Sequence, residues 1–121
     1  MRLLILFLMI ILSGCVKTVY INKPLIVTTY QYKDIWVIDC ISSNDADKLI
    51  ELISSKTSLQ IIKISYSSKE LIKTNKEGKN QPGCYKVDVF TKDNNSNSGI
   101  AYEAEKVNGE WTIKGTYRWS M

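Results

Sequence analysis

Few residues in this chain could do chemistry. Sulfur leads them: three cysteines, Cys15, Cys40 and Cys84, and no histidine. Without imidazole there is no Ser-His-Asp or Cys-His nucleophile and no histidine-bound metal centre. Carboxylates offer a second chemistry. Glu103 and Glu105 stand two apart on one strand face, a spacing that supports acid–base work when the pair is buried. On an amphipathic hairpin such a pair is normally solvated. The sequence carries no glycine-rich phosphate loop and no acidic calcium loop. It points away from an enzyme, and neither a cofactor nor a metal is expected.

Cys15 closes a short N-terminal segment: Met1 and Arg2, ten apolar residues over 3–12, then Ser13 and Gly14. One charge, a short apolar core and small residues before a cut make a secretory signal peptide. The core falls short of the roughly 20 residues that cross a bilayer. Leu12-Ser13-Gly14-Cys15 resembles the lipobox of bacterial lipoproteins. The resemblance implies cleavage before Cys15, a diacylglyceryl thioether on its sulfur and a fatty acyl group such as palmitate on the new amine. An uncleaved anchor with a chance cysteine is the other reading. Val16, and not an aspartate, follows the cysteine; this resembles the pattern sent to the outer membrane in enteric-type bacteria. The expected organisation is a signal peptide over 1–14, a lipid-anchored tether over 15–33 and an α+β domain over 34–121, on the periplasmic face of the outer membrane.

With Cys15 lipidated, Cys40 and Cys84 form an even pair in an oxidising compartment, and a disulfide between them is expected. Two buried free thiols are the alternative for a chain that is not exported. The 107 residues from position 15 to the last suit one small domain and a tether. Loss of Arg2 lowers the formal charge from +4 to +3. That mild, dispersed excess does not indicate nucleic acid and suits an anionic surface or an acidic partner.

The elements follow from periodicity. Pro24 interrupts the β-forming stretches on either side of it, and an edge strand is expected near 25–30. Ile35-Trp36-Val37-Ile38 is a compact apolar run and predicts a buried strand. Ser42, Ser43 and Asn44 are N-cap candidates, and Asp45 and Asp47 suit the first turn of a helix. Ala46, Leu49, Ile50 and Ile53 then recur at helical spacing, so a helix is expected over 45–55. Ile62, Ile64 and Tyr66 share one face of the next strand. Residues 67–83, with Lys69, Lys73, Lys76 and Lys79, read as a long solvated loop, with Leu71 and Ile72 prolonging the strand before it. From Cys84 to Phe90 the chain alternates, Tyr85, Val87 and Val89 against Lys86, Asp88 and Phe90.

Asn108-Gly109 predicts a two-residue hairpin turn, because both positions accept positive φ. Val107 then opposes Glu110, Ala104 opposes Ile113, Glu103 opposes Lys114 as a charge pair, Tyr102 opposes Gly115 and Ile100 opposes Tyr117. Trp111, Ile113, Tyr117 and Trp119 fall on one face.

One helix among four to five strands, on an antiparallel sheet, resembles in its topology the cystatin-like roll, in which the sheet curls around the helix. The order alone carries no functional residue. Ser98-Gly99-Ile100-Ala101-Tyr102 matches Ser-Gly-x-x-Tyr, which resembles a motif of lipoprotein inhibitors of c-type lysozyme. In that resemblance Ser98 and Tyr102 belong to the inhibitory loop and Lys114, in Trp111-Thr112-Ile113-Lys114-Gly115, is the lysine that meets the enzyme's acidic residues. That family is an all-β barrel, which the helix expected over 45–55 does not fit. The sequence favours a small non-catalytic envelope lipoprotein: it is held to the membrane by lipid at Cys15 and acts on an envelope protein partner as an immunity or exclusion factor or an accessory subunit. Lysozyme inhibition is the alternative.

Overall fold

The computed structural model describes residues 27–79 and 82–121. Six strands and two helices alternate along them: β1 (Thr29–Tyr32), β2 (Ile35–Ile38), α1 (Ser43–Ser54), β3 (Gln60–Tyr66), α2 (Ser68–Lys76), β4 (Lys86–Lys92), β5 (Ser98–Val107) and β6 (Glu110–Ser120). The strands form one sheet in chain order. The α+β class is as expected. The sheet is mixed, however, and not purely antiparallel: β2 and β3 run parallel, with Trp36 beside Lys63 and Val37 beside Ile64. The reason is α1. A twelve-residue helix rises about 18 Å, enough to carry the chain back to the start of β2, so the next strand repeats its direction.

α1 begins at Ser42, whose hydroxyl accepts from the Asp45 N–H at 3.2 Å, one of the orphan donors of a first turn. Its apolar stripe, Ala46, Leu49 and Ile53, is fully buried against Val37, Ile64, Val87, Val89 and the rest of one sheet face. The helix touches both β3 and β6. Polar contacts fix its acidic start: Tyr32 and Lys33 bind Asp47 at 3.0 and 2.9 Å, and Lys106 binds Asp45 at 3.0 Å. Burial by itself would raise the Asp45 carboxyl, but the Lys106 ammonium, the Trp111 indole and the Lys48 charge together outweigh this and hold it below its ordinary value.

The tether expectation gives way at its end. Thr29–Tyr32 is the edge strand of the sheet, joined to β2 through Lys33 and Asp34, both at positive φ (51° and 65°). The stretch from 67 to 83 is also not a plain loop. α2 occupies Ser68–Lys76, and Leu71 and Ile72 lie within it and do not prolong β3. Glu70 lies in its first turn, and Lys73 and Lys76 lie in its last, each sign complementing the helix dipole. It ends in a Schellman pattern: Gly78, at φ 70°, donates to Asn75 O at 3.2 Å and Lys79 donates to Thr74 O at 3.0 Å.

Two bulges correct the expected registers. In β3 the pairing with β4 shifts between Ile61 and Lys63. Ile61, and not Ile62, therefore joins Ile64 and Tyr66 in the core. In the final hairpin Asn108-Gly109 makes the expected turn, and Val107–Glu110 through Ala104–Ile113 pair as expected. Lys114 is then an extra residue. Glu103 faces Gly115, Tyr102 faces Thr116, Ala101 faces Tyr117 and Ile100 faces Arg118. Trp111 and Ile113 lie towards the α1 side with Ala104, while Tyr117 and Trp119 are carried to the opposite face.

Cys40 and Cys84 are bridged, with Cα atoms 6.0 Å apart. Cys40 lies just beyond β2 and Cys84 just before β4, so the bridge joins strands that are not neighbours. A crosslink over 44 positions contributes about 2–4 kcal/mol, a large share of a small domain's stability. Cys40→Ser and Cys84→Ser are each expected to lower the melting temperature. The double variant should melt no lower than the worse single, and reductant should move only the wild type. A variant melting like oxidised wild type would contradict the role given to the bridge.

Candidate functional site

The sheet face opposite α1 gathers the residues with most to offer a partner. Successive register partners place Gln31, Trp36, Lys63, Phe90, Ala101 and Tyr117 in one row across all six strands. Trp36 is 49% exposed. Lys63 lies over the Phe90 ring, its ammonium 5.9 Å from the centroid, where the ring quadrupole attracts a cation. Phe90 meets Tyr117 and Trp119 edge to face, at centroid distances of 6.4 and 6.0 Å. Both partners reach it because the Lys114 bulge has turned the end of β6 over. Trp119 lies opposite Gly99, and its indole N–H donates to Thr91 O at 2.8 Å. A Cβ on Gly99 would collide with that same carbonyl, so glycine leaves the acceptor open to the indole.

Beside the row lies Asp88, 1% exposed. Its Oδ2 accepts from the Tyr117 hydroxyl at 2.6 Å and from the Ser68 N–H at 3.4 Å, and its Oδ1 has no partner. Burial, ahead of every other influence, pushes the Asp88 carboxyl up. Burial first, and then the hydrogen bond to Asp88, push the Tyr117 phenol up as well. α2 sits at this end of the face. Lys69 pairs with Glu103 at 3.3 Å and Glu70 with Lys86 at 3.4 Å, and its fully buried side chains are Glu70 and Thr74. A recess of about 120 Å³ between α2 and the sheet is lined by Lys69, Lys86, Glu103 and Lys114, among others. That is well under the roughly 300 Å³ at which small-molecule pockets begin. The node therefore reads as the fastening of α2 to the sheet.

The alternative inhibitory residues are not brought together. Ser98 pairs with Ser120 and bonds Ser96 at 2.8 Å; it lines an open recess of about 310 Å³ with Asp93, Gly99 and Arg118. Tyr102 is 7% exposed, in the core. Lys114, six residues from Ser120 along β6, stands roughly 20 Å away from the Ser98 end. The expected Glu103–Lys114 pair is replaced by Glu103–Lys69, with Gly115 opposite the carboxylate. Glu103 and Glu105 do share one face. Cys15 lies outside the described residues. Among the described residues no cluster of three or more His, Cys, Asp or Glu could hold a metal ion, and no helix is long and apolar enough to cross a membrane.

Sequence reasoning passed over Trp36, Lys63 and Asp88 as site residues. Asp88 is marked by the alternation Lys86-Asp88-Phe90 against Tyr85-Val87-Val89; Trp36 and Lys63 join it only through the strand register. Comparison of the chain with protein-family models, with curated proteins and with solved structures finds no match.

Two outcomes test the node. Tyr117→Phe leaves Asp88 with one donor and is expected to cost about 1–3 kcal/mol in chemical denaturation. A folded-state pKa raised above the unfolded value means stability present at low pH and lost as pH climbs through the raised value. Asp88→Asn cannot ionise. Its melting temperature should gain on wild type as pH rises from about 4 toward neutrality. A constant difference across that range would show that Asp88 does not titrate upward.

Proposed function

We propose that this protein is a small lipid-anchored domain of the bacterial envelope. It is held by acyl chains on Cys15 and acts without catalysis through contacts with another envelope protein, as an immunity or exclusion factor or an accessory subunit. The Cys40–Cys84 bridge carries this reading. A disulfide suits an oxidising compartment, and it leaves Cys15 as the one cysteine available for lipid, directly after a signal-like segment. Val16 favours the outer membrane. The arrangement of α1 against one face, touching β3 and β6, supports a roll similar in topology to the cystatin-like one, with β2 and β3 parallel as a difference. The positively charged outer side chains suit an acidic partner.

Labelling with radioactive palmitate tests the anchor. The wild type should take up label and sediment with membranes. Cys15→Ser should accumulate as an unlabelled precursor. A Cys15→Ser protein that is processed and fractionates like wild type would overturn the lipoprotein reading.

A further inference from the structure

We propose that the end of the sheet from which the chain runs toward Cys15 rests on the phospholipid headgroup layer, with Val27, Ile72, Tyr85 and Val107 dipping into it. This contact rests on the lipid-anchor reading above.

Strand register gathers these side chains at one end. Thr29 pairs with Ile38, where β2 closes. β2 runs parallel to β3, so Ile38 and Tyr66 finish their strands on the same side. Tyr66 pairs with Val87, and Lys86 with Glu105. Val107 and Glu110 close the last hairpin just beyond. Residue 27, α2 and the Asn108-Gly109 turn therefore share one end of the sheet. The Lys33-Asp34 turn, the turn after β4 and the C-terminal end of β6 share the other. Among the described residues six large hydrophobic side chains are exposed, and four of them are Val27 (46%), Ile72 (67%), Tyr85 (44%) and Val107 (41%). Single exposed apolar residues are ordinary, but a group collected at one end marks an interaction site.

The chain outside the described residues says what this end faces. It enters the domain here, so residues 15–26 tie this end, and not the other, to lipid on Cys15. Fully extended, they reach at most about 40 Å. A contact too weak to hold a free domain persists when a tether keeps its surface close. The charges fit headgroups and not a polyanion. Among the described residues Lys73 and Lys76 on one side, and Asp39, Glu105 and Glu110 on the other, have no opposite charge within ion-pair distance. Open groups of both signs match the phosphates and ammonium groups of a phospholipid surface. α2 turns Glu70 and Thr74 inward and holds Lys69, Ile72 and Lys76 on its exposed side. Lysine stems beside an inserted isoleucine keep their ammonium groups at phosphate level. Tyr85, with the Lys86 ammonium 5.7 Å from its ring centroid, has the amphipathic form that settles at a membrane interface. The four apolar side chains come from four separate segments with charged groups between them. A protein partner would need shape complementarity across those gaps; a fluid headgroup layer needs none.

Fluorescence quenching in vesicles, with the full chain purified from membranes, tests this. Cys40 and Cys84 are bridged and Cys15 is acylated in this reading. Ile72→Cys, Val107→Cys and Asn94→Cys therefore each add one free thiol for an environment-sensitive dye. Asn94, exposed in the turn after β4, marks the opposite end. The vesicles are phosphatidylethanolamine and phosphatidylglycerol, with a nitroxide quencher at shallow acyl depth. Dyes at 72 and 107 are expected to be quenched roughly twofold or more, and the dye at 94 is expected to stay as bright as in vesicles without quencher. The intact Cys40–Cys84 bridge checks folding in each variant. Quenching at 94, at neither 72 nor 107, or at only one of the two overturns the contact. So does a dye that shifts to the blue without being quenched, which would mean cover by protein. A chain that floats with the vesicles and fails in these ways leaves the anchor reading standing. A chain whose mass shows no acyl group and which does not float overturns both.

Discussion

One extra residue in the last strand decides how this molecule presents itself. Up to Ile113 the final hairpin turns its large side chains toward α1, where Trp111 and Ile113 complete the core. Lys114 has no partner on β5, and a period of two then restarts on the other parity. Tyr117 and Trp119 consequently leave the α1 side and meet Phe90. Without that step their rings would crowd a core already filled by α1, and the other face would lose the aromatic half of its row. Gly99 follows from the same step: once Trp119 lies over β5, its indole seeks Thr91 O, and only a residue without a Cβ leaves that carbonyl accessible.

The two helices are bound by different physics. α1 buries Ala46, Leu49 and Ile53, and its attachment is hydrophobic, non-directional and proportional to area. α2 turns Glu70 and Thr74 inward and leaves Ile72 in water. It is held by ion pairs and by the Ser68 N–H on Asp88. Partly exposed ion pairs contribute little, about 0–1 kcal/mol each, and a buried carboxylate with one empty oxygen is costly. α2 thus belongs to the less stable part of the structure, of the kind that opens locally before the core does.

Much of this was legible in the sequence because short-range rules governed it. The N-cap at Ser42, the stripe through Leu49 and Ile53 and the Asn108-Gly109 turn all follow from local chemistry. The Cys40–Cys84 pair followed from arithmetic and compartment. Other features were hidden in physical ways. A bulge leaves almost no mark in a polar-apolar pattern, so Lys114 and Ile62 were read as ordinary strand residues. Lys33-Asp34 turns the chain at positive φ without the glycine that usually announces it. α2 was masked by its lysines, although Glu70 early, Lys73 and Lys76 late and Gly78 beyond are the stop and start signs of a helix. The row from Gln31 to Tyr117 could not be seen at all, since it exists only once six strands are in register.

The position of the bridge also sets how the domain carries mechanical load. Tension applied between residue 27 and the C-terminal end need not run through the whole chain. It passes along β1 and β2 to Cys40, crosses the sulfur bond to Cys84 and continues into β4. The interval between the two cysteines, which holds α1, β3 and α2, hangs from this covalent path as a side loop that the pull does not extend. Under a steady pull the two edge strands, β1 and β6, are the parts that can peel, while the helix-bearing middle stays inside a closed covalent loop as long as the disulfide stays oxidised.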